Sequence, residues 1–145
     1  MHKRILVAID LNEAGGWRHP LLAAAEQARK FGAEQLIVLT VIREFEALVY
    51  AQVGAVAYEM MAHDLENQLA ARVREVDAHD LKPKIVVEHG ESIYDVILGT
   101  AQKEGVDLIV VGSHRPAMKD YLLGTNAGRV VRHANCSVLV ARDPP

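Results

Sequence analysis

Short apolar runs rich in Val, Ile and Leu recur along the chain, separated by segments long enough to hold a helix. Five of these runs predict strands: Arg4 to Ile9, Gln35 to Ile42, Lys84 to Glu88, Leu108 to Val111, and Ser137 to Ala141. Each run is apolar almost continuously instead of at alternate positions. We therefore expect strands that are buried on both faces, as in a parallel sheet.

The segments between the strands carry apolar residues at helical spacing. Three stripes are, in chain order, Trp17, Leu21, Ala25 and Ala28, then Ile93, Ile97 and Ala101, then Ala127, Val130, Val131 and Ala134. Gly32 should end the first of these helices, and a longer helix is predicted over roughly Val56 to Asp80. Because strand and helix alternate throughout, the pattern predicts an α/β fold with helices on both faces of the sheet.

Composition restricts the class of protein. The chain has 145 residues, of which 50% are hydrophobic and 24% charged, which is typical of one domain spanning 1–145. Its net charge is -3 and no predicted face is lined with Lys and Arg, so neither nucleic acid nor a membrane surface is the expected partner. The start, MHKRILVAID, is typical of a first strand and not of a signal peptide.

The single cysteine, Cys136, allows no internal disulfide, so we expect a cytoplasmic protein. Cys136 itself should pack inertly at the start of a buried strand. That last strand, Cys136 to Arg142, should lie at the edge of the sheet, where unpaired backbone groups can accept a second chain.

One stretch, residues 47–58, is uncharged over its whole length, ALVYAQVGAVAY. It is too short to span a bilayer. It could pack on the sheet or against a partner, and packing on the sheet is the interpretation that we favour.

Ligands of such sheets bind beyond the carboxyl ends of the strands, where the strand order reverses. Asp10 follows the first strand and could accept hydrogen bonds from an adenine amine or a ribose hydroxyl, approach a metal through water, or cap the next turn. The backbone of Val41, near the end of strand two, could pair with an adenine edge. Gly90 and Gly112 follow strands three and four. The strand-end residues that join them in the predicted site are Ala8, Ile9 and Val111.

The turn Gly124-Thr125-Asn126 opens the last predicted helix. A helix N-terminus offers free N–H groups and the positive end of the helix dipole, and the Thr125 hydroxyl adds a donor, so this turn could bind phosphate. Alternatively, Thr125 or Asn126 caps its own helix.

Several of these features together resemble the universal stress protein family. They are the strand ending in Asp10, Gly90, the Gly112 loop, the turn Leu122-Leu123-Gly124-Thr125 and the closing VVRHANCSVLV. The resemblance covers essentially the whole chain. It implies a five-stranded parallel sheet in the order 3-2-1-4-5, a dimer joined through Cys136 to Arg142 or a tetramer built from it, and ATP bound above strands one and four.

The family's nucleotide motif is Gly, two residues, Gly, nine residues, then Gly with Ser or Thr. The resemblance assigns Gly112 to its first position and Gly124-Thr125 to its last pair. Ala8 and Asp10 match a strand-one pattern that usually reads Pro-x-Asp, and Val41 matches the adenine-contacting position.

Arg115 occupies the place of the second glycine, and the stretch from there to Gly124 is one residue shorter than the motif. We interpret the loop as a variant phosphate cradle in which Arg115 offers a charged fork to phosphate oxygens. The alternative is that Arg115 points to solvent or pairs with Asp120. His114, in the same loop, either contacts the ligand or is simply exposed.

The favoured hypothesis is a stress-response regulatory protein that binds ATP or a similar adenine nucleotide, with or without Mg²⁺, and acts on an unidentified protein as a dimer. The alternative is a protective or protein-interaction module of the same fold that binds no nucleotide. A slow ATPase is the third hypothesis. The chain contains no Walker A lysine, no Ser-His-Asp pattern and no histidine spacing typical of a zinc site, so we assign neither catalytic residues nor metal ligands.

Overall fold

Strands and helices alternate along the chain in this computed structural model, which describes residues 2–12, 15–113 and 125–142. In chain order the elements are β1 (Arg4–Ala8), α1 (Arg18–Phe31), β2 (Gln35–Arg43), α2 (Glu44–Val53), α3 (Ala55–Glu75), a 3-10 turn (His79–Leu81), β3 (Lys84–Gly90), α4 (Ile93–Lys103), β4 (Leu108–Gly112), α5 (Thr125–His133) and β5 (Ser137–Ala141). The predicted strands are confirmed, with ends that differ by at most two residues.

The five strands form one parallel sheet in the order β3-β2-β1-β4-β5, which confirms the expected doubly wound fold. β1 pairs with β2 from Arg4 opposite Gln35 to Ala8 opposite Leu39. On its other side, β1 pairs with β4. The chain therefore leaves β1 in one direction across the sheet and later returns to its other side, which creates a crevice at the carboxyl end of β1.

Alternate residues of the central strands enter two separate cores. Ile5 and Val7 pack with Leu21 of α1 and Leu69 of α3 on one face. On the other face, Leu6 packs among residues of α4 and α5 that include Ile97 and Val130. This alternation follows from the twofold repeat of a strand, and it explains why the central runs are apolar at every position.

The expectation that all five strands are buried on both faces is wrong for the two edge strands. β3 and β5 are mostly half-buried, whereas β1, β2 and β4 are largely buried. An edge strand has one neighbouring strand and less helix above it, so its side chains keep some contact with solvent. Cys136, next to β5, is half-buried as well. Burial raises the pKa of its thiol, which keeps the group protonated and agrees with an inert packing role.

The favoured packing of residues 47–58 on the sheet is wrong for most of them, because Ala47 is buried and most of the others are exposed. Residues 47–58 form most of α2 and the start of α3. The helix predicted from Val56 to Asp80 corresponds to α3, which ends at Glu75 and is followed by the 3-10 turn, whereas α2 was not predicted. Ala47 is the one buried residue of α2. Large apolar side chains of these helices are exposed, and they are Phe45, Leu48, Val49, Tyr50, Val53, Val56 and Met60.

The physical reason is that α2 and α3 pack against each other and against the β2–β3 end of the sheet, so a narrow stripe of each helix reaches the core. Within the described ranges, no helix combines the length and the apolar character needed to cross a membrane.

Two adjacent leucines of α1 test this arrangement of the core. Leu21 is fully buried, whereas Leu22 is 37% exposed. We expect Leu21→Ala to lower the free energy of unfolding by about 2 to 5 kcal/mol, because it leaves a cavity against β1, and Leu22→Ala to lower it by under about 1 kcal/mol. Urea unfolding of both variants measures the difference. Equal losses would contradict the orientation of α1.

Candidate functional site

A cavity of about 160 Å³ opens at the carboxyl ends of β1, β2 and β4, beside the start of α5. Eight of the residues predicted from the sequence line it: Ala8, Ile9, Asp10, Val41, Val111, Gly112, Thr125 and Asn126. They come from three strand ends and one helix, which are far apart in the chain. The sheet order brings them together at the crevice beside β1.

Asp10 lies at the rim of the cavity and is exposed. Its Oδ1 accepts a hydrogen bond of 2.9 Å from the backbone N–H of Asn12, so the side chain caps the turn after β1. The capping role considered above is therefore present. Asp10 still lines the cavity while it caps, so its carboxylate also gives the rim a negative charge and hydrogen-bond acceptors for a ligand.

Two hydrogen bonds join the ends of β1 and β2. The Thr40 hydroxyl donates to the carbonyl of Ile9 at 2.8 Å, and the N–H of Ile9 donates to the carbonyl of Leu39 at 2.8 Å. Leu39 therefore directs its backbone groups towards β1. Alternate residues of a strand share that direction, so Val41 turns its N–H and C=O to the same side, beyond the last register pair of Ala8 with Leu39. This orientation is the one that backbone contact with an adenine edge requires.

α5 begins at Thr125, and its first two residues both line the cavity. The first N–H groups of a helix have no partner within the helix, and the helix dipole adds partial positive charge at that end. The cavity thus receives hydrogen-bond donors from α5, opposite the strand-end groups of Val41 and Asp10. An anionic group is the natural ligand of such a helix start.

The two predicted strand-end glycines have different surroundings. A Cβ built on Gly112 would lie 3.1 Å from Cγ of Pro20, and both residues line the cavity. Gly112 therefore allows α1 to begin close to the end of β4. A Cβ on Gly90 would overlap the Val96 side chain, and Gly90 is not among the residues that line the cavity. Its lack of a side chain serves the packing of α4 against the end of β3.

The remaining predicted residues, His114, Arg115 and Gly124, lie outside the described residues, as does Asp120. The variant phosphate cradle therefore stays a prediction.

Arg43 is the charged cavity residue that the sequence analysis missed. Strand two was predicted to end at Ile42, but β2 continues one residue further because Arg43 pairs with Gly90 of β3. A basic residue directly after a strand-two run was the available signal. The other residues that were missed are Asn12, Gly16, Pro20, Leu39, Ile93, Ile97 and Ala127. Most of them are apolar and resemble core positions, so no signal in the sequence marks them.

Among the residues that the structure describes, no group of three or more His, Cys, Asp or Glu side chains is arranged to hold a metal ion. His89 instead forms a pair with Glu44, with Nδ1 at 3.1 Å from Oε2. Its ring also meets the Tyr58 ring edge to face.

Comparison with known proteins decides the family. The sequence model of the universal stress protein family matches residues 1–142. The chain belongs to the universal stress protein family. Universal stress protein G of Escherichia coli O157:H7 is 37% identical over 84 residues, a stretch that spans 58% of this chain and 58% of that protein.

Solved structures of other universal stress proteins share the fold. A protein from Methanocaldococcus jannaschii superposes with a TM-score of 0.73 at 26% identity, covering 100% of this chain and 99% of that one. A universal stress protein in complex with cAMP has a TM-score of 0.64 at 20% identity and covers 97% of both chains. The Archaeoglobus fulgidus protein in complex with dAMP has a TM-score of 0.61 at 20% identity, covering 95% of this chain and 96% of that one.

The contribution of the Thr40–Ile9 hydrogen bond to stability can be measured by comparing Thr40 with a second buried threonine. Thr40→Val keeps the shape but leaves the Ile9 carbonyl without its side-chain donor, so we expect unfolding free energy to fall by about 1 to 3 kcal/mol. Thr100 of α4 is also buried, and its hydroxyl makes no hydrogen bond to a described residue. Thr100→Val should therefore be close to neutral in the same urea titration. A similar effect of both substitutions would argue against the role of Thr40.

Proposed function

We propose that this universal stress protein binds an adenine nucleotide, with ATP as the expected ligand, in the cavity at the ends of β1, β2 and β4. The observation that carries the proposal is the convergence of three strand ends and the α5 N-terminus on one cavity. A nucleotide has an aromatic base, a hydroxylated sugar and an anionic chain. The cavity offers a different wall to each of these parts.

The polarity of the walls suggests how the ligand lies. The backbone of Val41 suits the hydrogen-bonding edge of adenine, and the Asp10 carboxylate suits the hydroxyls of ribose. Thr125 and Asn126 at the start of α5 suit phosphate oxygens. Apolar residues such as Ile93 and Ile97 of α4 border the cavity and could cover a face of the base.

Complexes of related proteins support the proposal that the ligand contains adenine. One universal stress protein of the same fold was solved with cAMP and another with dAMP. ATP differs from both in its longer phosphate chain, which Mg²⁺ would accompany. We propose binding and not hydrolysis, because Asp10 is the one carboxylate among the described residues that line the cavity and it already caps a turn.

Binding would be a regulatory event in a dimer. The ligand would touch both the end of β4 and the start of α5, so occupancy would link these two elements through one ligand. β5 is an edge strand whose free side could pair with a second copy of the chain, from Cys136 to Arg142. The regulated partner would be a protein, and we propose the cytoplasm as the compartment.

A second candidate function is a protein-interaction module that binds no nucleotide. The exposed apolar side chains of α2 and α3, including Phe45 and Val53 at 76% exposure each, favour this candidate. The two functions differ in one measurable property, the affinity for adenine nucleotide.

Thr125 provides the test of the nucleotide site. Thr125→Val removes a hydroxyl that would donate to phosphate, so calorimetric titration with ATP should give binding about tenfold or more weaker, as expected when a hydrogen bond to a charged group is lost. Thr125→Ser restores the hydroxyl and should restore affinity. Adenosine has no phosphate, so its binding should be the same in all three proteins.

Absence of ATP binding in the parent protein would leave the interaction module as the function. If ATP binding is insensitive to Thr125→Val, the phosphates do not bind at the start of α5.

A further inference from the structure

A second concave surface continues from the cavity across the start of α2. It has a volume of about 620 Å³, against about 160 Å³ for the cavity. We call it the side groove, lined by Arg43, Glu44, Phe45, Leu48, Glu91 and Arg129. Ile93 and Asn126, together with Arg43, border both the cavity and the side groove. A ligand could therefore extend from one into the other without leaving the protein surface.

Two arginines lie along the path between the two sites. Arg43 borders both of them, and Arg129 lies on α5 three residues after Asn126, on the same face of that helix. Within the part of the chain that the structure describes, neither arginine forms an ion pair. Arg129 is held over the Tyr94 ring, at 5.2 Å from its centroid. These guanidinium groups suit a phosphate chain that begins at the α5 N-terminus and continues outwards.

The far side of the groove has a different character. Phe45 and Leu48, one helical turn apart on α2, are 76% and 55% exposed, so they offer an apolar surface to a planar ring. The carboxylates of Glu44 and Glu91 offer hydrogen-bond acceptors to a ligand, and Oε2 of Glu44 lies 3.1 Å from Nδ1 of His89. Carboxylates repel phosphate but suit hydroxyl and amine donors. An apolar surface beside hydrogen-bond acceptors fits a nucleoside better than an inorganic anion.

We propose that the side groove is a second nucleoside subsite, so that the protein takes a dinucleoside polyphosphate with one nucleoside in the cavity and the other against Phe45. The inference rests on the proposed function, because the first nucleoside occupies the nucleotide cavity. The phosphate chain between the two nucleosides passes Arg43 and Arg129.

Calorimetric titration with three probes tests the proposal on the parent protein. The probes are ATP, adenosine 5′-tetraphosphate and diadenosine tetraphosphate. The last two have the same number of phosphates, and the second nucleoside is the group that distinguishes them. Base stacking on an aromatic side chain should make diadenosine tetraphosphate bind about tenfold more tightly than adenosine tetraphosphate.

Variants then locate the gain in affinity. Phe45→Ala should remove most of the tenfold preference while ATP affinity stays at the parent value, because Phe45 does not line the cavity. Arg129→Ala should instead weaken both tetraphosphates by a similar factor and leave their ratio unchanged, because both carry the phosphate chain. Arg132→Ala is the matched control: it removes an exposed arginine from the same helix, and Arg132 lines neither the cavity nor the side groove. It should change the affinity for none of the probes.

The outcomes separate this inference from the proposed function. ATP binding combined with equal affinities for the two tetraphosphates overturns the second subsite and leaves the nucleotide cavity in place. A preference that survives Phe45→Ala also overturns the subsite, and equal affinities of the Arg129→Ala and Arg132→Ala variants for adenosine tetraphosphate overturn the path of the phosphates past Arg129. Failure of the parent protein to bind any of the three probes overturns both proposals.

Discussion

The site depends on the burial of β1 between two parallel neighbours. Ile5, Leu6 and Val7 are completely buried, which requires a helix layer on each face and a strand on each side. A strand surrounded in this way ends at a crevice, because its neighbours β2 and β4 connect to helices on the two faces. The cavity is thus a consequence of topology, and the side chains around it decide which ligand it can accept.

The chain concentrates polar groups at this end of the sheet. The hydrogen bond from Thr40 to Ile9 keeps the two chain segments side by side beyond Ala8 and Leu39, the last paired residues of β1 and β2. Asp10 caps the turn that follows. Val41 keeps its backbone directed towards the cavity because β2 extends further than β1. These contacts hold the strand ends before any ligand arrives, which lowers the cost of ordering the site on binding.

The apolar pattern predicts the strands well, because burial on both faces requires apolar residues at every position. It predicts β5 to the residue and the end of α1 at Gly32, whose left-handed φ of 60° suits glycine. The same reasoning fails for α2, because residues 47–53 are uncharged and do not repeat apolar and polar positions with a helical period. The sequence also predicts Gly90 as a site residue, whereas in the structure its lack of a side chain makes room for Val96. A glycine that makes room for a neighbouring side chain looks the same in sequence as one that makes room for a ligand.

We propose that the ends of β1 and β2 and the start of α5 bind one adenine nucleotide between them. Backbone amide NMR spectra recorded during a titration with ATP test it most directly. We expect saturable shifts at Asp10, Val41, Thr125 and Asn126, with little change at Arg4 and Asp107, which hydrogen-bond to each other at the opposite end of the sheet. Shifts absent from the first four amides, or confined to another surface, would contradict it.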